Sequence, residues 1–144
     1  MSAHVDAHQL EDQLGFPLYA CSREVIKQYR PYLDRVGLTY TQYITLMVIW
    51  SEGTVSVRDL GRRLYLDSGT LTPVLKHLEN EGYITRRRCP TDERVLLVTI
   101  TEAGLALKAE VADIPAEMEK RVGLTADEVA TLQQLLYKLL AAQK

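Results

Sequence analysis

The sequence has few of the residues that mark secreted, fibrous or membrane proteins. It contains only 2 Cys, 8 Gly and 5 Pro in 144 residues, which excludes a disulfide scaffold and a collagen-like or low-complexity chain. Its longest apolar run spans residues 46–50, whereas a membrane-spanning helix needs roughly 18 residues. Residues 1–13 carry no Lys or Arg and no hydrophobic stretch, so no secretory signal is expected. We therefore expect a cytoplasmic protein whose cysteines are free thiols.

Acidic residues outnumber basic ones, and the formal net charge is −2. That balance argues at first against nucleic acid as a partner, but the charge is unevenly distributed. Residues 58–94 contain eight Lys and Arg against six Asp and Glu, while the segments on either side each contain two more acids than bases. Phosphate binding depends on the local field rather than on the total charge. The middle third is therefore the candidate nucleic-acid surface.

Hydrophobic periodicity predicts a single, mainly helical domain over residues 1–144. Apolar residues at helical spacing predict a first helix that runs to about Arg35. Pro17 indicates either a kink in this helix or a helix proper that begins near Phe16 after a separate turn. Thr39 has the character of an N-cap, and the second helix that it opens is apolar on most sides. We expect that second helix to form the centre of the core.

The middle third reads as two short helices followed by a strand hairpin. Ser56 is predicted to cap the third helix, and the fourth covers about residues 69–81, with Pro73 near its first turn. Residues 83–89 and 94–100 are rich in β-branched side chains and are predicted as strands, joined by a loop at 90–93.

Two further helices are predicted in the last third of the chain. Thr101 is predicted to cap a fifth helix that extends to about Arg121, and Thr125 a sixth. The leucine-rich sixth helix and the first helix are the candidate dimer interface, which gives dimerisation segments at about 10–36 and 102–142. A dimer is expected because a two-fold pair of reading helices contacts two DNA half-sites about one turn apart.

Residues 54–101 thus have the order of a winged helix-turn-helix, in which a helix enters the major groove and presents its N-terminal side chains to base edges. The candidate contacts on this helix are Asp67, Ser68, Thr70, Thr72 and Lys76. An arginine at a hairpin tip suits a narrow minor groove, and the hairpin candidates are Arg86, Arg88 and Arg94, with Asp92 expected to orient the Arg94 guanidinium. Each piece alone is compatible with a solvated face, but the order and spacing together favour DNA binding.

The run from Leu64 to Pro73, followed by Asp92-Glu93-Arg94, resembles the MarR winged-helix repressors. Within that family it is similar to the organic-hydroperoxide sensors of the OhrR type, which residues 10–14 and 38–43 also match. The resemblance covers nearly the whole chain. It implies an intertwined homodimer that is mainly α with a β-hairpin wing, a pseudo-palindromic double-stranded DNA operator, and repression that oxidation relieves.

One position departs from this resemblance. The family's peroxide-reactive cysteine corresponds to Gly15, which cannot be oxidised. The tyrosines that the resemblance implies as hydrogen-bond partners of that thiolate correspond to Tyr29 and Tyr40, with Tyr19 beside them. The usual sensing step therefore does not carry over, although the lining of its pocket does.

The two cysteines are the remaining candidates for a redox sensor. Cys21 lies six residues after Gly15, a rotation of roughly 240° on a helix, and it shares an apolar stripe with Leu18 and Val25. The stripe favours a buried, inert Cys21. Cys89 is next to the wing loop and is expected to be exposed. Its oxidation would disturb the wing, while a neutral role at the end of a strand is the alternative.

Two inducers stay open from the sequence: an oxidant acting on Cys21 or Cys89, or a small molecule in a pocket lined by Tyr19, Tyr29 and Tyr40. An enzyme is not expected, since the sequence has no His-Glu-x-x-His, no Gly-rich phosphate loop and no cysteine pair at zinc spacing. For the same reasons no cofactor and no metal are expected. An adaptor of this fold that does not bind DNA is disfavoured by the basic middle third.

Overall fold

The structure, a computed structural model, describes residues 8–143 of the chain. After a short 3₁₀ helix at Leu10–Asp12, the elements are α1 (Gly15–Asp34), α2 (Tyr40–Glu52), β1 (Thr54–Ser56), α3 (Val57–Leu64), α4 (Ser68–Asn80), β2 (Ile84–Cys89), β3 (Asp92–Ile100), α5 (Glu102–Glu110), α6 (Ile114–Glu119) and α7 (Ala126–Ala141). The described part divides after Ile114 into two compact units. Within residues 8–143, none of the helices is both long enough and apolar enough to cross a membrane. The expected mainly helical architecture with a small β wing is confirmed.

Side-chain caps fix where several helices begin. The Thr39 hydroxyl accepts the backbone N–H of Gln42 at 3.2 Å, and the Gln42 side-chain oxygen accepts the N–H of Thr39 at 3.0 Å. Ser56, Thr101 and Thr125 cap α3, α5 and α7 by accepting the backbone N–H three residues ahead, and Glu128 completes the reciprocal hydrogen bond at Thr125. These caps satisfy backbone N–H groups that have no partner inside the helix. All four predicted helix starts are confirmed.

Prolines explain where the helices differ from the sequence-based expectation. Pro17 is the third residue of α1, where a missing N–H is tolerated, so the helix proper does begin near Phe16. Pro73 is the sixth residue of α4 rather than a first-turn residue. The predicted single helix from Thr101 to about Arg121 is wrong, because α5 ends at Glu110 and α6 begins at Ile114. Pro115 could not donate to a carbonyl in the preceding turn of a continuous helix, and it lies instead in the first turn of α6.

The three strands form one antiparallel sheet in the order β1-β3-β2. The predicted loop at 90–93 is shorter than expected, because β3 begins at Asp92. Arg88 pairs with Leu96 and Cys89 with Asp92, so the residues between Asp92 and Leu96 form a bulge in β3. The strand β1 pairs with β3 at Val55 opposite Val98 and was not predicted, since three residues carry too little periodicity.

The core of the first unit is built around α2, as predicted. Leu46 and Ile49 of α2 are fully buried, together with buried leucines of α4 and apolar residues of the sheet: Leu71, Leu75, Leu78, Ile84 and Val98. The Trp50 indole N–H donates to the carbonyl of Gly104 at 2.8 Å. The helices α3 and α4 and the β2–β3 hairpin therefore all pack against the same core.

Candidate nucleic-acid interface

The turn between α3 and α4 is tight and has a fixed geometry. Tyr65 adopts a left-handed backbone conformation, with φ of 57°, and the N–H of Leu66 donates to the carbonyl of Gly61 at 3.0 Å. This pattern satisfies a carbonyl at the end of α3. A Cβ on Gly61 would lie 2.8 Å from the Leu66 carbonyl oxygen. The close approach sets the angle at which α4 leaves α3.

The exposed N-terminus of α4 carries the predicted base-reading side chains. Asp67 is the N-cap, and its Oδ1 accepts the N–H of Thr70 at 2.7 Å. That hydrogen bond holds the pKa of Asp67 below its usual value. Ser68, Thr70 and Thr72 are all exposed, and the Thr72 hydroxyl donates to the carbonyl of Ser68 at 2.6 Å. We therefore revise the role of Asp67 from base contact to helix cap and keep the three hydroxyls, with exposed Lys76 further along.

The wing presents one arginine at its tip. Arg94 Nε donates to Asp92 Oδ1 at 3.1 Å and its Nη2 to Asp92 Oδ2 at 3.3 Å, while its side chain is 91% exposed. The guanidinium lowers the pKa of Asp92. Arg94 lies within the β3 bulge, and bulges commonly re-aim side chains. These hydrogen bonds are the ones expected of a carboxylate that orients Arg94.

A groove of about 910 Å³ lies between α3, the start of α4 and β3. Ser68 and Arg94 line it from opposite elements, together with Arg58, Arg62 and Tyr65. Arg58 and Arg62 belong to the basic segment of the sequence but are not among the contacts predicted from it. Their separation of four residues on a short helix, which places them on one face, is the signal that could have found them. The groove joins the predicted reading helix and the wing in one concavity, whose charged lining residues are three arginines and one aspartate.

The three consecutive arginines of β2 have different surroundings. Arg86 is paired with Glu79 of α4, and its side chain is 20% exposed. We therefore remove Arg86 from the predicted DNA contacts, because its paired guanidinium is largely buried, whereas the paired guanidinium of Arg94 is exposed. Arg87 and Arg88 are exposed, and Arg88 remains a candidate phosphate contact.

The two thiols also differ from expectation. Cys21 is exposed rather than buried, and Val25 on the same stripe is also 49% exposed. Cys89 is partly exposed, and its Sγ lies 3.2 Å from the Thr91 hydroxyl oxygen. Hydrogen bonds from the Thr91 hydroxyl and backbone N–H lower the pKa of the Cys89 thiol. A lower pKa increases the thiolate fraction, which is the reactive form.

The predicted tyrosine lining is only partly assembled. Tyr29 and Tyr40 meet edge to face, with ring centroids 4.8 Å apart, and Tyr43 joins them at 6.1 and 6.4 Å. Burial raises the pKa of Tyr29 and Tyr43. Tyr19 is 59% exposed and stacks instead with Arg23, 5.5 Å from its ring centroid. Tyr43 was missed because it reads as an ordinary apolar position of the second helix.

Gly15 is the first residue of α1 and is exposed. A Cβ built there would have no heavy atom within 4 Å. Neither packing nor backbone conformation therefore requires glycine at this position. Among the described residues, no cluster of three or more His, Cys, Asp or Glu is placed to hold a metal ion.

Comparison with known proteins gives consistent matches. The MarR family matches residues 38–96. The organic hydroperoxide resistance transcriptional regulator of Bacillus subtilis is 45% identical over 140 residues, which cover 97% of this chain and 95% of that protein. The structure of reduced AbfR bound to DNA is similar with a TM-score of 0.78 and 34% identity over 92% of each chain. Overoxidised AbfR bound to DNA is similar with a TM-score of 0.78 and 33% identity over 92% of this chain and 93% of that one.

Proposed function

The chain belongs to the MarR family of regulators, and from that premise we propose that it represses transcription by binding a pseudo-palindromic DNA operator as a homodimer. The observation that carries the proposal is the groove between α3, α4 and β3. It holds Ser68 at the N-terminus of the reading helix and Arg94 on the wing. Hydroxyls at a helix N-terminus reach base edges in the major groove, and an exposed arginine suits the narrow minor groove beside it.

The polar groups of the groove divide into two kinds of contact. Ser68 and Thr70 are short and exposed at the start of α4, where side chains specify sequence. Arg58, Arg62 and Lys76 are longer cations that suit phosphate oxygens, which position the protein without reading bases.

A homodimer is supported by apolar side chains that each unit leaves uncovered. On α1, Val25 is 49% exposed, and on α7 Leu135 and Tyr137 are 58% and 63% exposed. Apolar faces of this kind usually mark an interaction surface. In our proposal a second copy covers them and sets the two reading helices about one DNA turn apart.

Operator binding tests the proposal directly. Wild-type protein is expected to select a pseudo-palindromic sequence from a pool of random DNA duplexes and to bind that operator in a salt-dependent, sequence-specific way. Arg94→Ala is expected to weaken binding about tenfold, within the range for loss of one specific arginine contact. Ser68→Ala is expected to change base preference more than salt dependence, since its hydroxyl reads bases. Binding that is unaffected by Arg94→Ala would contradict the wing assignment.

We further propose that oxidation of Cys89 releases the protein from DNA. The Cys89 thiol is partly exposed, hydrogen-bonded to Thr91, and five residues from Arg94. Its thiolate would attack the terminal oxygen of an organic hydroperoxide and break the O–O bond, leaving a sulfenic acid on Sγ. The alkoxide that is released takes a proton from water and leaves as the alcohol. A bulkier, polar sulfur at the end of β2 would alter the hairpin turn that carries Arg94.

A small molecule bound among the tyrosines is the second candidate inducer. The rings of Tyr29, Tyr40 and Tyr43 pack against one another, and Tyr19 faces away toward Arg23. A cluster filled by its own rings favours a structural role, so the wing thiol has the stronger support.

Serine variants separate these inducers. Organic hydroperoxide is expected to release wild-type protein and the Cys21→Ser variant from operator DNA, but not the Cys89→Ser variant. Reductant added afterwards should restore binding by the first two proteins. Release of the Cys89→Ser variant at the same peroxide concentration would refute the assignment. The proposal also includes a cytoplasmic location and the absence of catalytic activity.

A further inference from the structure

The ion pair between Glu79 and Arg86 joins the last turn of α4 to strand β2 of the wing. Arg86 donates to Glu79 Oε1 from Nη2 at 2.9 Å and from Nε at 3.1 Å, and the Arg86 backbone N–H donates to Oε2 at 3.2 Å. The two side chains are only 20% and 35% exposed. Three hydrogen bonds to one carboxylate fix direction as well as distance. Through them α4 and the wing are connected by a rigid contact.

Because this contact lies some distance from the wing tip, a small change of angle at Arg86 produces a larger displacement of the tip. From Arg86 the strand continues four residues to the turn at Pro90, a distance of about 13 Å at 3.3 Å per residue. A tilt of about 10° at Arg86 would therefore move the tip by about 2 Å, which is enough to lose a hydrogen bond. Arg94 is at that tip, whereas Ser68 is at the opposite end of α4 from Glu79.

We propose that Glu79 is a positioning residue for DNA recognition, which holds the wing at the angle where Ser68 and Arg94 contact the same stretch of DNA. The inference rests on the proposed DNA binding. In this role Glu79 does not itself contact the DNA. Arg86 acts through the same pair and not as a phosphate ligand.

The sign of one substitution distinguishes this role from simple electrostatics. Glu79→Gln removes a negative charge from a DNA-binding protein and leaves Arg86 without its counter-ion, and both changes would strengthen attraction to phosphate. It also replaces one of the two accepting oxygens by an NH2 group, so the three hydrogen bonds from Arg86 cannot all be kept. If the pair positions the wing, the same variant binds operator more weakly, because the tip no longer matches the groove. Glu81→Gln is the matched control, since Glu81 is an exposed neighbour whose carboxylate lies 3.9 Å from His77 and is not paired to the wing.

The experiment measures operator affinity for the wild type, Glu79→Gln, Glu81→Gln, Arg94→Ala, and Glu79→Gln combined with Arg94→Ala. We expect Glu79→Gln to weaken binding about tenfold and Glu81→Gln to leave it equal or stronger. In the Glu79→Gln background, Arg94→Ala is expected to reduce operator affinity much less than in the wild type, because Arg94 of a displaced wing no longer contacts the DNA. Residues with no contact between them usually contribute additively, so this coupling is diagnostic.

Thermal unfolding of each variant accompanies the binding data, and the exchanged pair Glu79→Arg with Arg86→Glu is a second route to the same answer. Recovery of affinity in the exchanged pair supports positioning. Equal or tighter binding by Glu79→Gln, or full additivity with Arg94→Ala, overturns it. If the wild type itself does not bind operator DNA, the proposed function fails, and that result is distinct from a wild type that binds while Glu79→Gln matches it.

Discussion

Three acidic residues in or next to the interface are hydrogen-bonded within the protein. Asp67 caps α4, Asp92 holds Arg94, and Glu79 holds Arg86. Each carboxylate has a lowered pKa because its charged form accepts these hydrogen bonds. Acidic side chains beside DNA are therefore compatible with binding here, because they organise the groups that face the duplex.

Asp67 predicts a specific dependence of stability on acid. Because the pKa of Asp67 is lower in the folded state, the unfolded chain takes up a proton first as the pH falls. The free energy of unfolding therefore decreases once the pH drops through the ordinary pKa of 3.8. The loss is complete only below the lowered folded-state value. In Asp67→Asn the amide oxygen still accepts the Thr70 N–H but does not titrate, so this variant should lose less stability on acidification.

Urea unfolding between about pH 5 and pH 3 measures this difference. Asp34→Asn is the control, because it removes the same charge at the end of α1, away from the α4 cap. If both variants reduce the acid sensitivity equally, the cap is not its source.

Gly15 predicts a gain of peroxide sensitivity on substitution. Gly15→Cys places a thiol at the first residue of a 20-residue helix with no heavy atom within 4 Å of its Cβ. The positive end of the helix dipole lowers the pKa of such a thiol. Release from operator DNA is expected at lower hydroperoxide concentrations than for the wild type.

The rate of alkylation against pH gives the thiol pKa of the Gly15→Cys variant, and DNA release gives its function. Cys21 and Cys89 are replaced by Ser in both this variant and its Gly15→Ala control, so that only position 15 differs. Identical DNA release by the two proteins would show that this position alone is not enough to restore sensing.

At the scale of single elements, the turn between α3 and α4 depends on Gly61. Alanine normally stabilises a helix interior by up to about 1 kcal/mol relative to glycine. Here its Cβ would lie 2.8 Å from the backbone oxygen of Leu66, and overpacking of this kind typically costs about 1–3 kcal/mol. We therefore expect Gly61→Ala to lower the free energy of unfolding.

Gly69→Ala is the matched comparison on α4. Its Cβ would be 3.5 Å from Asp67 Oδ1, an ordinary contact, so it is expected to be neutral or mildly stabilising. Denaturant unfolding of both variants tests the contrast. A stable Gly61→Ala protein would mean that the α3–α4 turn tolerates a different angle.

The elements also differ in how much of their structure the sequence predicts. Helix starts were predictable because Thr39, Ser56 and Thr101 make local hydrogen bonds that their own neighbours determine. The break before α6 follows from Pro115, which was overlooked. The partner of Arg86 was not predictable, since the Glu79 contact depends on how β2 folds back onto α4, and exposure of Cys21 depends on what covers α1. Hydrogen bonds between residues close in sequence were predictable, whereas contacts between separate elements were not.

At the scale of the whole molecule, self-association should depend on α7. Leu135 is 58% exposed, and Leu135→Lys would place a charge in the proposed apolar interface. Gln133 is exposed and lies about 200° away around the helix, so Gln133→Lys makes a comparable surface change on another face. We expect Leu135→Lys to raise the dimer dissociation constant by at least about tenfold, corresponding to about 1.4 kcal/mol.

Sedimentation equilibrium over a range of concentrations measures that constant. Operator affinity should fall in parallel for Leu135→Lys, because two linked reading helices bind one palindrome. Equal dissociation constants for the two lysine variants would exclude this face of α7 from the interface.

The central position of β3 in the sheet constrains how the wing can move. One neighbouring strand, β1, leads directly into α3, and the other, β2, follows α4. The bulge from Glu93 to Val95 pairs with neither strand. We therefore expect small backbone fluctuations at the hairpin end, and we expect the paired part of the sheet to tilt together with α3 and α4. An inducer that binds far from the DNA would therefore have to reorient α3, α4 and the sheet together, because no strand of the sheet can move away from the DNA separately.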